Sequence, residues 1–173
     1  YIIVKDGLRV EINFEDLKNE KRKQTLLLNA LIEEIEAEKA EPISILFRYN
    51  TVLTSDLLKR FLHRHLMQLE LYQCETIDNR IFPIIQKQCQ DLSELSLIEC
   101  IGLTEVGMLV LQNLRSCIIT HCMNLHTLKI EARSLENLNG SHNPRLKKVE
   151  LISGIQKMDF SASPQIELTH TMV

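Results

Sequence analysis

Two stretches of this chain carry the same nine-position pattern of apolar and polar residues. Leu66-Met67-Gln68-Leu69-Glu70-Leu71-Tyr72-Gln73-Cys74 and Leu92-Ser93-Glu94-Leu95-Ser96-Leu97-Ile98-Glu99-Cys100 both read LxxLxLxxC, 26 residues apart. Ile43 and Ile45 stand one such step before Leu69 and Leu71, and Leu114-xx-Cys117-x-Ile119-xx-Cys122 repeats the pattern 22 residues later. Alternation of two inward apolar residues predicts a short strand, and such a strand cannot bury its apolar face alone. Stacking at fixed period removes the difficulty, because each copy covers the next. The spacing therefore predicts neighbouring parallel strands at 43–47, 68–72, 94–98 and 116–120 in one curved sheet.

Between the strands, Thr104-Glu105-Val106-Gly107-Met108-Leu109 opens with a capping residue and continues with helical apolar spacing, which predicts a short helix. Ile81-Phe82-Pro83-Ile84-Ile85 predicts another, with Pro83 in its first turn. After Cys122 the period shortens. Leu125, Leu135, Leu146, Ile155 and Ile166 each open an apolar motif at about half the earlier spacing. This predicts thin coils with two extended segments each, Leu114, Leu135 and Ile155 on one side and Leu125, Leu146 and Ile166 on the other. Gly140, Pro144, Gly154 and Pro164 fall where such coils turn.

Residues 1–42 break the pattern. Tyr1–Lys5 and Leu8–Ile12 flank Asp6-Gly7, a hairpin signal. Asn13 reads as the cap of a helix running towards Glu41, with Leu28, Leu31, Ile32 and Ile35 on its apolar face and Pro42 as its stop. A second helix is expected from Thr54 or Ser55, burying Leu57, Leu58, Phe61 and Leu62. The division is a hairpin and capping helix over 1–42 and a solenoid over 43–173, because the end of a solenoid must be sealed from water.

Cys89-Gln90-Asp91-Leu92-Ser93-Glu94-Leu95-Ser96-Leu97-Ile98-Glu99-Cys100-Ile101-Gly102-Leu103-Thr104 resembles the cysteine-containing leucine-rich repeat. That pattern is typical of the substrate-recognition arms of F-box ubiquitin-ligase subunits and of their bacterial mimics. The resemblance is strongest over 66–124. It implies an α/β leucine-rich-repeat solenoid with a parallel concave sheet, short convex helices in the N-terminal repeats and thinner, helix-poor coils towards the C-terminus. It implies a protein partner. No segment resembles an F-box, so the ubiquitin connection is analogy.

Composition and charge narrow the function classes. The 173 residues are 45% hydrophobic and 25% charged, with five aromatics in every hundred and no Trp, which suits thin layers of aliphatic side chains. The net charge of −3 argues against a nucleic-acid surface, and Lys21-Arg22-Lys23 lies among acidic residues on a solvated helix face. No apolar run approaches the roughly 18 residues of a membrane span. Five cysteines, an odd number without close pairs, point to a reducing intracellular setting, the cytoplasm or a host cytosol.

Candidate chemistry is thin. Cys74, Cys100 and Cys122 recur at one repeat position, as small buried strand-end residues would. Neighbouring strands about 4.7–4.9 Å apart space such sulfurs poorly for shared tetrahedral ligation. His63-Arg64-His65 reads as a helix C-terminus. Phosphate-cradling glycine motifs are missing. No catalytic residue, metal site or cofactor is expected.

In each strand the residues beside the inward pair point to the open concave face. They are Gln68, Glu70 and Tyr72, then Glu94, Ser96 and Ile98, then Ser116, Ile118 and Thr120, then Asn137, Asn139 and Ser141. The continuation adds Lys157, Asp159 and Ser161. Tyr72, Ile98 and Ile118 form an apolar centre with a polar surround, the anatomy of a protein-binding hot spot. The expected function is a non-catalytic protein-interaction module. The alternatives are a structural segment packed against other domains of a longer chain, and an enzyme using a Cys or His of the N-terminal segment.

Overall fold

The computed structural model describes residues 2–5, 9–155, 157–163 and 166–173. The first element pair is β1 (Ile2–Lys5) and β2 (Arg9–Asn13), antiparallel in a register that joins Lys5 to Val10. That is the expected hairpin, although its Asp6-Gly7 turn lies outside the described residues. From β2 onwards pairing is parallel. β3 (Ser44–Arg48), β4 (Gln68–Tyr72), β5 (Glu94–Ile98), β7 (Ser116–Thr120), β9 (Asn137–Asn139) and β11 (Met158–Asp159) follow in chain order across one eight-stranded sheet. Ile45, Leu69, Leu95 and Cys117 stand in register, as do Phe47, Leu71, Leu97 and Ile119. All eight are essentially buried, so the repeated inward pair is the core.

The return path of each coil changes along the chain. First comes a 3-10 turn at Glu15–Leu17 and α1 (Lys21–Glu38), then α2 (Ser55–Leu58), then α3 (Ile81–Gln88). After β5 the returns are strands: β6 (Glu105–Val110), β8 (Thr127–Glu131), β10 (Lys148–Ile152) and β12 (Glu167–Thr171), which form a second parallel sheet. The molecule is a mixed α/β, parallel-strand β-solenoid with few helices. Coils of about 21 residues leave no length for a helical return, so the two-strand coil expected from the shortened period is what forms. The Leu114, Leu135 and Ile155 motifs feed the large sheet, and the Leu125, Leu146 and Ile166 motifs feed the small one. Pro164, an expected turn residue, lies outside the described residues.

The expected helix at Thr104–Leu109 is instead β6. Val106 and Leu109, three apart, do point the same way, as in a helix turn. They pair with Leu128 and Ile130, which are two apart, so β6 carries one extra residue between them. A β-bulge thus imitates helical spacing. Val106, Val110 and Gly107 are poor helix formers, and the Leu128–Ile130 ladder offers a wall to pair with. α1 also starts later than expected, at Lys21 rather than after Asn13. Phe14 N–H continues the sheet by donating to Arg48 O at 3.0 Å, and Asn13 Oδ1 accepts from Glu15 N–H at 2.9 Å in the bend that leads into the 3-10 turn, whose N-cap is Phe14. α2 begins at Ser55 as expected, with the Thr54 side chain accepting from Leu57 N–H. It lasts one turn; Leu58, Phe61 and Leu62 are buried and Leu57 half-buried. His63 and His65 therefore do not sit at a helix C-terminus. His63 Nε2 lies 2.9 Å from Pro42 O, and His65 Nδ1 lies 3.0 Å from Asp91 Oδ2, so both tie neighbouring coils. Pro83 stands in the first turn of α3, where its missing N–H costs no helical bond.

The turns after the large-sheet strands use one device. Tyr49, Gln73, Glu99, His121 and His142 all have φ between 51° and 57°, in the left-handed region. Four of their N–H groups reach the next coil: Tyr49 to Tyr72 O, Gln73 to Ile98 O, Glu99 to Thr120 O and His142 to Ser161 O. The residue after each is buried: Asn50, Cys74, Cys100, Cys122 and Asn143. Each cysteine Sγ donates back across the stack, Cys74 to Phe47 O at 3.6 Å, Cys100 to Leu71 O at 3.5 Å and Cys122 to Leu97 O at 3.6 Å. Asn143 closes the column with a stronger set. Its Nδ2 donates to Ile119 O at 2.6 Å and Gly140 O at 2.8 Å, and its Oδ1 accepts from Cys122 N–H at 2.8 Å.

Candidate interaction face

The residues singled out from sequence line up across the large sheet. Gln68, Glu94, Ser116 and Asn137 share one register row, and Glu70, Ser96, Ile118 and Asn139 the next. Tyr72, Ile98 and Thr120 form the third. All sit on the outward face, opposite the buried ladders. Two of the twelve contribute little surface. Thr120 is 6% exposed and Ser141 4%, because the sheet narrows there into the tight turns that carry Asn139 and Asn143. Ser141 N–H is held by Asn139 Oδ1 at 2.9 Å. Of the continuation, Lys157, Asp159 and Ser161 are exposed, and Ser161 N–H donates to Asp159 Oδ1 at 2.8 Å. That bond is the main reason the Asp159 carboxyl is held below its ordinary pKa.

Around Tyr72 the face is preorganised. Its ring meets Tyr49 edge to face at 5.1 Å and 88°, a favoured aromatic geometry. Its hydroxyl donates to Glu99 Oε1 at 3.2 Å, and Gln73 Nε2 donates to the other Glu99 oxygen. Burial, then the Tyr49 hydroxyl and the Glu99 charge, push the Tyr72 phenol up to about 12, so it stays a neutral donor at physiological pH. Lys18 Nζ sits 4.0 Å above the Tyr49 ring, a cation–π contact. Arg48 donates from Nε and Nη2 to Glu70 Oε1 at 2.9 and 2.7 Å, while its Nη1 lies 3.7 Å from Glu11. Leu46, in register between those two carboxylates, is only 3% exposed despite its outward position. Asn13, Glu15, Arg48, Tyr49, Glu70 and Tyr72 enclose a hollow of about 350 Å³.

Sequence pattern alone missed Arg48, Tyr49 and Glu99. Arg48 and Tyr49 are the register equivalents of Tyr72 and Gln73, because Ile45 and Phe47, not Ile43 and Ile45, stand opposite Leu69 and Leu71; the 26-residue step read from the sequence was two residues off here and so passed over them. Further along the same edge the His121 and His142 rings stack at 4.5 Å, nearly coplanar in direction at 6°. That contact has no sequence signal beyond their shared place after a strand.

The cysteines offer no reactive site. All five are buried and unpaired. Burial pushes Cys74, Cys89 and Cys117 up to about 12 and Cys122 to about 11, and raises Cys100 well above its ordinary value. A thiol so disfavoured as thiolate is a poor nucleophile and a poor metal ligand. Among the described residues no three His, Cys, Asp or Glu side chains gather in a way that would hold a metal ion, and no helix is long and apolar enough to cross a membrane. No family model, curated protein or solved structure matches the chain.

Proposed function

We propose that this chain is a leucine-rich-repeat interaction module that binds a partner protein on the outward, concave face of β4, β5 and β7. The observation that carries the reading is the division of labour within each strand. Leu69, Leu71, Leu95 and Leu97 are buried, while Tyr72, Ile98 and Ile118, beside them, remain part-exposed without serving the core. Tyr72 and Ile98 stand side by side in register and Ile118 lies in the adjoining row, opposite Ser96, and a preorganised Tyr adds contact area at small entropic cost. The repeated turn cysteines support the resemblance to the cysteine-containing leucine-rich repeat. By that analogy the partner is a substrate of a ubiquitin-ligase assembly or a target of a bacterial effector, met in an intracellular, reducing compartment. The thiols favour such a compartment, and nothing in the site calls for catalysis.

Ile98→Glu tests it. The variant should keep the circular dichroism of the parent and lose binding to a partner isolated on the parent chain, because an unpaired carboxylate would be buried in the interface. Unchanged affinity in a folded Ile98→Glu chain would refute the site. A structural role against further polypeptide has its own supporting feature. Leu168 occupies the row of Val149 yet is 46% exposed, and Met172 and Val173 are more exposed still, so the last coil leaves apolar surface open.

A further inference from the structure

Positive charge collects where β8 and β10 begin, on the small sheet. The runs 121–130 and 141–149 hold no Asp or Glu, although acidic residues outnumber basic ones 23 to 20 along the chain. They belong to neighbouring coils, in which Lys148 stands in register with Thr127. His126, Thr127, Arg145, Lys147 and Lys148 line a hollow of about 470 Å³. Carboxylates stand beside it rather than in it: Glu105 in register with Thr127, Glu167 with Lys148, and Glu150, which holds Lys148 Nζ at 2.8 Å.

The other cations are left open, and two of the polar groups are aimed. Asn124 Nδ2 donates to Ile101 O at 2.9 Å, and Arg145 Nη1 donates to Asn124 Oδ1 at 3.0 Å. A chain of bonds across three coils thus holds the guanidinium by one corner, and its remaining N–H groups have no partner among the described residues. His126 Nδ1 lies 3.3 Å from Thr127 Oγ1. With the hydroxyl donating, the ring keeps its proton on Nε2 and presents a donor outwards. The Lys147 side chain is exposed and forms no ion pair among the described residues. A cation that only solvates the surface needs no such fixing, which costs side-chain entropy.

The backbone decides which anion fits. His126 N–H donates to Thr104 O at 2.9 Å, and Lys147 and Lys148 N–H both donate to His126 O, at 3.0 and 3.2 Å. No run of backbone donors is left to cradle a phosphate. Apart from His126 no ring lines the hollow to stack a base. Spread side-chain donors on neighbouring strands instead match carboxylates spaced along an extended chain, and a guanidinium fork takes a carboxylate with two parallel bonds.

We propose that this hollow docks an acidic, extended segment of a partner protein, with one carboxylate on Arg145 and others on Lys147 and His126. The outward faces of the two sheets point away from each other across the shared core, so this docking does not depend on the concave-face reading.

The probe is a capped octapeptide alternating Asp and Ser, with the Asn-Ser octapeptide as neutral control, titrated into the labelled chain at low ionic strength. The acidic peptide should shift the amide resonances of Thr127, Lys147 and Lys148 saturably, the control should not, and added salt should weaken binding. Arg145→Ala and Lys147→Ala should each weaken it by about three- to fivefold at an unchanged thermal midpoint. Asn124→Ala keeps every charge but frees the guanidinium, and should weaken it by about twofold. Lys59→Ala, which removes one charge at the end of α2, and Tyr72→Ala should leave it unchanged. The absence of saturable shifts would overturn the proposal, as would Lys59→Ala matching Lys147→Ala, or an Asn124→Ala chain that binds like the parent, since either would reduce the hollow to diffuse charge. Inorganic phosphate displacing the peptide at equal concentration would overturn it in favour of a phosphate site, and single-stranded oligothymidylate binding more tightly, with the same sensitivity to Arg145→Ala, in favour of nucleic acid.

Discussion

At the scale of single residues, neighbours one position apart have opposite tasks. Leu97 is fully buried between Leu71 and Ile119, so Leu97→Ala should lower stability by about 2–5 kcal/mol, read by urea denaturation. Ile98→Glu, on the outward side, should move the same midpoint little. Asn143 satisfies three buried backbone groups at the turn column, so Asn143→Ala should cost roughly 2–4 kcal/mol, more than an exposed Asn would. The cysteines set an alkaline limit. In the unfolded chain their thiols ionise near 9, whereas in the folded chain they stay protonated to about 11–12. Their contribution to stability is therefore complete below about pH 8, and it declines as pH rises from 9 towards 12, by up to about 1.4 kcal/mol per pH unit for each thiol. Urea midpoints at pH 7, 9 and 10 should show the fall above 9, and Cys117→Ala should make it shallower. A midpoint flat to pH 10 would mean the thiols are not protonated by burial.

At the scale of elements, the strands with paired inward apolar residues were legible with their boundaries, since 68–72, 94–98 and 116–120 are the spans of β4, β5 and β7 and 43–47 is one residue early for β3. LxxLxLxx placed β4, β5 and β7 because alternation over five residues admits one exposed face and one buried face. The β6 segment misled because a bulge puts Val106 and Leu109 at helical spacing while both belong to a strand. The left-handed turn column was invisible for a different reason. Its members are Tyr, Gln, Glu and two His, none the glycine that usually marks such a conformation, and a carbonyl of the next coil accepts from the N–H of Tyr49, Gln73, Glu99 and His142. Lys39 is a simpler case, an exposed residue with φ 52° that ends α1 and receives no such support from a neighbouring coil. Lys39→Gly should raise the thermal midpoint, by about 1 kcal/mol in stability, whereas Lys39→Val should lower it. Tight approach between coils also has a cost in sequence freedom. A Cβ on Gly102 would lie 2.2 Å from Ile77 O, so that position admits only glycine.

At the scale of the molecule, each coil touches chiefly its neighbours, and the change of period near Cys100 changes the cross-section from helix-backed to two-stranded. The spacing placed that change one coil late, after Cys122, and gave the coil after Cys100 a helix where β6 runs; beyond Cys122 it was legible, because 21 residues cannot hold two strand-length runs and a helix. What it does to the surface was not: a groove between α3 and β6, lined by Phe82, Pro83 and Met108, arises only where two kinds of coil meet. The outward face, by contrast, could be read from alternation alone, apart from Arg48, Tyr49 and Glu99, which lie at or just beyond strand ends. The central claim is that a partner protein sits on that face. The most direct measurement places a photo-crosslinking residue at position 98 of the purified chain, with the same residue at 150 on the small sheet as comparison, and irradiates each in cell extract. A discrete crosslinked protein should form from position 98, vanish with excess unlabelled parent chain, persist with excess Tyr72→Ala chain, and be missing from position 150. The same product from both positions, or products only from 150, would contradict it.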